Sequence, residues 1–282
     1  MAVHHVKSVI RPATREEAWA EKEKCGKAAR FLAGGIDVVL YTPPSVDSLI
    51  DLTGLGLSGV TQDAAGIKIG AMTTMTEAIE SPEIRAYANG FLIGVLKQVA
   101  SPLQRNVATF GGTLGSAHPW SDVIPAFLVL DATLILYDGN ERTAGLEQFL
   151  AGGGQGTGPI ICGIRIPRAL ESSRGAHEAF TRTMFDVATL NVSCLAAIGE
   201  SGWSDLRIAI GGTPGLATRL RDVEDAAVRE KMEGGDIADA AAASIDARDD
   251  VHASGKYRRT LARALVAECL REIAEGSEGS AG

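Results

Sequence analysis

The order of predicted elements along the chain indicates an α+β fold built from two domains. Short strands alternate with short helices over the first 170 residues, whereas three strands and then three helices are predicted in the last third. A chain of 282 residues is long enough to bury the cores of two domains. We therefore predict a first domain over residues 1–170, with subdomains of about 1–56 and 57–170, a second domain over residues 176–276, and a flexible tail over residues 277–282.

The first domain is predicted to open with a strand and a capped helix. Residues 6–10 favour a strand, and Thr14 followed by Glu17 forms the capping-box pattern that starts a helix reaching about Lys24. The spacing of apolar residues predicts further strands at 29–32, 48–52, 67–70, 133–137 and 160–166, and helices at 76–80, 90–99 and 122–130.

The second domain is predicted to follow a change of composition at residues 171–175. Strands are predicted at 179–183, 189–198 and 206–211, and helices at 223–230, 236–244 and 254–275. The glycine run at 152–158, just before the last strand of the first domain, lacks the lysine and the spacing of a nucleotide-binding loop. We interpret it as a connector.

Charge and cysteine content argue against several classes of function. A net charge of -8 is unsuited to a nucleic-acid surface, which needs clustered Lys and Arg. The first residues lack the apolar core of a signal peptide, and no apolar stretch reaches the roughly 20 residues of a membrane span, so we expect a cytoplasmic protein. The four cysteines are scattered without a C-x-x-C pair, which predicts reduced thiols, no metal site and no iron–sulfur cluster on this chain.

Two glycine-rich segments carry the chemistry that the sequence predicts. The first, Ala33-Gly34-Gly35-Ile36-Asp37, follows a predicted strand, and the second runs from Thr109 through Gly111 and Gly112 to Asp122. Glycine has no Cβ to hold a ligand away from the backbone, and successive N–H groups in a tight turn form a concavity that binds anions. Together the segments predict a site for the pyrophosphate of a dinucleotide, with a plain strand-end turn as the alternative for the first.

Five motifs in order resemble the FAD-binding medium subunits of molybdenum hydroxylases, such as xanthine dehydrogenase and aerobic carbon monoxide dehydrogenase. They are the two glycine-rich segments, residues 164–167, Gly211-Gly212-Thr213-Pro214, and residues 249–259, which resemble a D-D-x-x-A-S-x-x-Y-R-R pattern. The resemblance extends over nearly the whole chain. It implies a two-subdomain FAD-binding domain of the vanillyl-alcohol-oxidase (PCMH) type, followed by a smaller α+β domain of the carbon monoxide dehydrogenase flavoprotein C-terminal type.

The resemblance also implies which residues contact FAD. Asp122 matches an aspartate near the ribityl or ribose hydroxyls of the cofactor, and capping of the next helix is its alternative or additional role. Asp37 is assigned to a ribose hydroxyl or to structural support, and Arg182 to the basic residue that relatives carry near the flavin. His118 is interpreted as a loop residue and not as a covalent attachment point. The complete set is Leu32, Ala33, Gly34, Gly35, Ile36, Asp37, Val38, Thr109, Gly111, Gly112, Thr113, Ser116, Asp122, Ile161, Cys162 and Arg182.

The function that the resemblance implies is electron relay, with no catalytic residue on this chain. As an oxidoreductase subunit, it would hold FAD non-covalently and pass electrons from a small [2Fe-2S] subunit to NAD+ or another acceptor, while a large molybdopterin subunit oxidises the substrate. Two alternatives stay open. One is a stand-alone FAD-dependent oxidase, and the other is a flavin-free assembly protein, suggested by Thr113 and Ile36, where the family usually has Asn and a small polar residue.

Overall fold

The computed structural model of the protein describes residues 4–153, 158–199 and 202–278. Packing divides the chain into two compact units that interleave along the sequence. The first unit comprises Met1–Glu83, Ser101–Ala117 and Ala132–Ile166, and the second comprises Ile84–Ala100, His118–Asp131 and Pro167–Gly282. The linear domain boundaries drawn from the sequence stay a prediction.

The described residues form short strands and helices in alternation. The strands are β1 (Ser8–Ile10), β2 (Ala29–Leu32), β3 (Ser48–Asp51), β4 (Val60–Asp63), β5 (Gly66–Gly70), β6 (Thr133–Tyr137), β7 (Glu141–Gly145), β8 (Ile160–Pro167), β9 (Arg174–Phe180), β10 (Leu190–Gly199), β11 (Gly202–Gly211) and β12 (Thr218–Arg219). The helices are α1 (Arg15–Cys25), α2 (Ile36–Tyr41), α3 (Met75–Glu80), α4 (Pro82–Ala86), α5 (Phe91–Gln98), α6 (Pro102–Arg105), α7 (Phe110–Ser116), α8 (Val123–Val129), α9 (Leu146–Ala151), α10 (Arg221–Glu230), α11 (Gly234–Ser244) and α12 (Gly255–Glu278). In this described part of the chain, no helix combines the length and the apolar character needed to cross a membrane.

The first unit contains two sheets. β1, β3 and β2 form a parallel sheet in that order, and α1 and α2 make the connections. The other sheet has the order β4-β5-β8-β6-β7, with antiparallel pairing of β4 to β5 and of β6 to both β7 and β8. The side chain of Thr14 accepts the Glu17 amide at 3.1 Å and starts α1 as predicted. The Glu17 carboxylate accepts the amide of Ala13, one residue before the cap.

The second unit is built on an antiparallel sheet of order β12-β11-β10-β9. One face of this sheet is apolar: Leu190, Val192 and Cys194 of β10 belong to a buried cluster shared with α10, α11 and α12. Because side chains alternate along a strand, Asn191 and Ser193 lie on the opposite face. Helix α8 contacts β10 and β11, and all seven of its residues are buried.

Arg258 anchors the start of α12 within the second unit. Its side chain is only 2% exposed, yet it is fully hydrogen-bonded. The guanidinium donates to the carbonyl oxygen of Gly212 at 3.0 Å and to both carboxylate oxygens of Asp250 at 2.9 Å. A buried cation needs such partners, and Arg258 therefore ties the motif around residues 249–259 to the end of β11.

The α+β architecture is confirmed, and most predicted strands and helices coincide with observed ones at their centres. The first strand of the second domain, predicted at 179–183, was misplaced. The observed strand β9 covers Arg174–Phe180 and so begins within residues 171–175, where the sequence predicted the boundary between the domains. Its glycine and polar residues have the composition of a loop, but they pair with β10. The connector at residues 154–157 and the tail from residue 279 lie outside the described residues, whereas α12 continues through residue 278.

Candidate functional site

Gly34 and Gly35 form the turn that joins β2 to α2. Gly35 is the N-cap of α2 and has a φ of 82°, a left-handed conformation that favours glycine. Ile36 begins the helix, and helix geometry leaves the amides of the first turn without intrahelical acceptors. Such amides carry partial positive charge and suit an anion. The segment predicted to be a loop is therefore a turn followed by a short helix, and its backbone suits the pyrophosphate interpretation.

The second glycine pair lies inside a helix and not in a loop. Thr109 is the N-cap of α7, and its hydroxyl oxygen accepts the Gly112 amide at 3.2 Å. The Gly111 amide donates to the carbonyl oxygen of Ala71 at 2.7 Å. Both amides have acceptors within the protein, which corrects the expectation that they are turned toward a phosphate.

Close approach explains why glycine stands at Gly34 and Gly111. A Cβ at Gly34 would overlap the carbonyl oxygen of Val107. A Cβ at Gly111 would lie 2.8 Å from Ala71 Cβ and 2.9 Å from its carbonyl oxygen. Gly34 thus lets the first glycine-rich segment pack against Val107, just before the second segment, and Gly111 lets α7 pack against Ala71.

The other residues predicted to contact FAD, on α7 and around α2, differ in how far their side chains are exposed. Thr113 and Ser116 are half-buried and lie three residues apart, on one side of α7. Thr109 is only 4% exposed and uses its hydroxyl as a cap. Val38 packs into a small apolar cluster with Val46 and Leu49, so its side chain belongs to the core. The remaining residues predicted in the first segment, Leu32, Ala33, Ile36 and Asp37, are half-buried.

Ile161 and Cys162 on β8 are both buried but have different neighbours. Ile161 lies beside α7, since a Cβ added at Gly115 would be 3.8 Å from its Cδ1 atom. Cys162 belongs to an apolar cluster that includes Tyr137 and Ile160. Burial raises the pKa of the Cys162 thiol, which keeps it protonated. Of the two, Ile161 is the side chain beside the second glycine-rich segment.

Asp122 belongs to the second unit and does not cap the helix that follows it. It stands at the N-cap of α8, but its backbone is already helical, with φ of -71° and ψ of -25°, and its side chain makes no capping hydrogen bond. Instead Oδ1 accepts the side-chain amide of Asn191 at 2.7 Å. Among the described residues, Oδ2 has no hydrogen-bond partner in the structure, and the side chain is 16% exposed. The carboxylate is therefore held by one oxygen and open at the other.

Two residues beside Asp122 were not predicted from the sequence. Asn191 is completely buried, and His177 Nε2 lies 3.7 Å from Asp122 Oδ1. The signal available in the sequence is the pattern Leu190-Asn191-Val192-Ser193-Cys194, in which polar residues alternate with apolar ones in a strand that is buried on both faces. His118, four residues before Asp122 in the second glycine-rich segment, stacks on Trp120 with ring centroids 4.6 Å apart.

Arg182 lies in the turn between β9 and β10 of the second unit. Its side chain is 64% exposed and forms an ion pair with Asp186 at 3.4 Å, four residues along the chain. The Asp186 carboxylate also accepts the Val187 amide at 2.8 Å, a local hydrogen bond typical of a turn residue. An exposed guanidinium on a turn is available to a ligand but is not held rigidly.

Comparison with known families accounts for both parts of the chain. Residues 4–169 match the family described as the FAD binding domain in molybdopterin dehydrogenase. Residues 175–273 match the family described as the CO dehydrogenase flavoprotein C-terminal domain.

Individual relatives agree with these matches over nearly their whole length. The chain is 27% identical to the carbon monoxide dehydrogenase medium chain of Hydrogenophaga pseudoflava, covering 92% of this chain and 94% of the relative. It is 25% identical to the putative xanthine dehydrogenase FAD-binding subunit of Escherichia coli, covering 89% and 90%. The solved carbon monoxide dehydrogenase of H. pseudoflava has the same fold, with a TM-score of 0.89 at 24% identity over 96% of this chain and 98% of that one.

The fold predicted from the resemblance, an FAD-binding domain followed by a flavoprotein C-terminal domain, is confirmed by these matches. So is the prediction that the chain is an oxidoreductase subunit with FAD as its cofactor. The chain belongs to the family of FAD-binding medium subunits of molybdenum hydroxylases.

Proposed function

We propose that this chain holds FAD non-covalently and relays electrons from the [2Fe-2S] clusters of a small partner subunit to NAD+ or another acceptor. A large molybdopterin-binding subunit would oxidise the substrate, so the organic substrate would not contact this chain. FAD supplies a carrier that takes up electrons singly and gives up a pair. The substrate of the complex follows from the large subunit and is not part of the proposal.

The observation that carries the proposal is the contact between the two glycine-rich segments in the first unit. Gly34 packs on the backbone of Val107, and a Cβ at Gly112 would lie 3.7 Å from Ala33 Cβ. A dinucleotide needs backbone close to its pyrophosphate, and this junction offers the first-turn amides of α2 beside the start of α7. The residues present therefore fit FAD.

In the first unit we assign the pyrophosphate to the backbone of the first segment, and ligand hydrogen bonds to the half-buried hydroxyls of Thr113 and Ser116. Gly111, Gly112 and Thr109 would shape the site through packing and capping. In the second unit Asp122 would accept a hydroxyl through Oδ2, and Arg182 would add positive charge. The remaining members are Leu32, Ala33, Gly34, Gly35, Ile36, Asp37, Val38, Ile161 and Cys162.

The organisation of the chain and its location form part of the same proposal. The FAD-binding domain would occupy residues 1–170 and the C-terminal domain residues 176–276, in line with the two family matches. All four cysteines are unpaired thiols in the structure. Because disulfides are rare in reducing compartments, this supports placing the complex in the cytoplasm.

Non-covalent FAD is tested by acid precipitation of the purified, yellow protein. The ligand groups that we assign, Oδ2 of Asp122 and the α2 amides, would act through hydrogen bonds and form no covalent link to the flavin. We expect all the flavin in the supernatant, at one FAD for each chain. Flavin that stays with the pellet would contradict the non-covalent site, and a colourless protein that takes up no added FAD would favour the flavin-free assembly protein.

Electron relay is tested by comparing the isolated chain with the complex. Co-purification from the native source should bring down a large molybdenum-containing subunit and a small [2Fe-2S] subunit, and substrate should bleach the flavin absorbance only in that assembly. The isolated chain, reduced with dithionite, should still reduce an acceptor. Rapid oxidation of an alcohol or amine by the isolated chain with oxygen would instead support a stand-alone oxidase.

A further inference from the structure

Asn191 and His177, two buried polar residues of the second unit's sheet, lie beside Oδ1 of Asp122, and a third, Ser193, contacts His177. His177 on β9 faces Ser193 on β10 across the strand pair, and His177 Nδ1 lies 2.8 Å from Ser193 Oγ. Asn191, two residues before Ser193, donates to Asp122 Oδ1 at 2.7 Å and to the carbonyl oxygen of Trp120 at 3.2 Å. All three lie on the sheet face opposite the apolar cluster of α10 to α12.

Burying these three polar side chains costs free energy unless their polar atoms find hydrogen-bond partners. The His177 side chain is 2% exposed, and Asn191 and Ser193 are completely buried. In the described part of the chain, His177 Nε2 is a buried atom without a hydrogen-bond partner. A buried polar atom left in this way costs free energy. Asp122 Oδ1 lies 3.7 Å from this atom.

The chemistry of these groups determines the direction of the hydrogen bonds. A carboxylate only accepts, so the Nε2 atom that faces Asp122 is favoured as the protonated one. Nδ1 is then the acceptor, and the Ser193 hydroxyl donates to it. His177 and Asn191 would thus both direct their donors toward Oδ1 of Asp122, while Ser193 donates to His177, and Oδ2 of Asp122 would remain for a ligand.

We propose that His177 and Asn191 are positioning residues, which hold the Asp122 carboxylate in one orientation so that Oδ2 accepts a hydroxyl of FAD. This inference rests on the proposed function of Asp122 and adds the residues that orient its carboxylate. Neither side chain contacts the cofactor itself. His177 acts through Asp122, with Ser193 selecting its tautomer.

A double-mutant cycle on FAD affinity separates this role from ordinary packing. FAD would be titrated into the apoprotein, with flavin fluorescence as the readout, for His177→Leu and His177→Gln in the wild-type and Asp122→Ala backgrounds. We expect His177→Leu to weaken binding by about tenfold in the wild-type background, the effect of a hydrogen bond to a charged group, and by less than about twofold without Asp122. His177→Gln, which keeps a donor near the Nε2 position, should restore most of the affinity.

Val192→Ala supplies the matched control, because Val192 lies on the paired strand β10, next to Ser193, but packs into the apolar cluster on the other face of the sheet. Its effect on FAD affinity should be the same in both backgrounds. An equal loss for His177→Leu in both backgrounds would overturn the proposal, since it would show that His177 acts by packing alone.

A second measurement needs neither FAD nor a substitution at His177. Nitrogen-15 NMR of the histidine rings in the apoprotein should show His177 protonated at Nε2, and Asp122→Asn should weaken that preference. A ring protonated at Nδ1 alone would overturn the proposal. If the wild-type chain failed to bind FAD, the proposed function would fall, and the tautomer would still decide whether His177 is coupled to Asp122.

Discussion

Replacement of Gly111 by alanine distinguishes a glycine needed for packing from one needed to admit a phosphate. The added Cβ would lie 2.8 Å from Ala71 Cβ and 2.9 Å from the Ala71 carbonyl oxygen. Carbon atoms in favourable contact are about 3.5–4.0 Å apart, so α7 and Ala71 must separate by about 0.7–1.2 Å. Neither neighbour is a flexible side chain that could move aside.

The expected cost follows from these distances. Overpacking of a core site costs about 1–3 kcal/mol, and stretching the 2.7 Å hydrogen bond from the Gly111 amide to Ala71 adds to it. Alanine recovers about 0.5–1 kcal/mol as a better helix former. We therefore expect Gly111→Ala to lower the free energy of unfolding by about 1–3 kcal/mol.

Gly115→Ala is the matched control on the same helix. A Cβ at Gly115 would meet Ile161 Cδ1 at 3.8 Å, an ordinary contact, so this change should be neutral or stabilising by up to about 1 kcal/mol. Urea unfolding of the apoproteins, followed by tryptophan fluorescence, measures both variants, and FAD titration of the same samples gives the affinities.

The stability of the apoprotein decides between the two roles of the glycine. A packing clash lowers the free energy of unfolding even without FAD, whereas a side chain that only blocks the phosphate has an effect when FAD binds. If Gly111→Ala unfolded at the wild-type urea concentration and yet lost FAD, the glycine would serve phosphate approach and our reasoning would be refuted. Equal destabilisation by Gly111→Ala and Gly115→Ala would refute it as well.

Three further outcomes are expected. Asp122→Ala should weaken FAD binding about ten- to a hundredfold and more than Asp37→Ala does, because Asp122 has an open carboxylate oxygen; equal dissociation constants in an FAD titration would contradict this. Arg258→Leu should lower the free energy of unfolding by about 3 kcal/mol in urea, since it removes a buried, ion-paired guanidinium, whereas the exposed neighbour variant Arg259→Leu should change it by less than about 0.5 kcal/mol. The Cys162 thiol should react slowly with iodoacetamide at pH 8 and faster as the pH rises above 9, because burial raises its pKa and the thiolate is the reactive form; rapid labelling at pH 8, detected by mass spectrometry, would argue against its burial.

Strands and long helices were predictable from the sequence because their apolar periodicity is local. β2 and β6 occupy the predicted residues, and α12 starts within one residue of its predicted start. The short helices α2 and α7 were taken for loops, because glycines precede α2 and occupy the first turn of α7, and glycine within a helix is about 1 kcal/mol less favourable than alanine. Tertiary contact with the backbone of residues 71 and 107 overrides that preference.

The candidate site was predictable in its glycines but not in how they act. The two segments were expected to lie together, and Gly34 does pack against Val107. The amides of Gly111 and Gly112, however, are bonded to Ala71 and Thr109. Ala71 is forty residues away in the chain, in a segment with no glycine motif of its own, so no local pattern reports this contact.

Asp122 shows how one backbone conformation decides between two roles that the sequence left open. A carboxylate caps a helix when its own residue is extended and its side chain can turn back to the first amides. The backbone of Asp122 is already helical, and its side chain does not reach those amides. The carboxylate is instead directed to Asn191, 69 residues later, on a strand that no local pattern could pair with it. Because Asp122 makes no capping hydrogen bond, any affinity for FAD lost in Asp122→Ala should be a loss of ligand binding and not of helix stability.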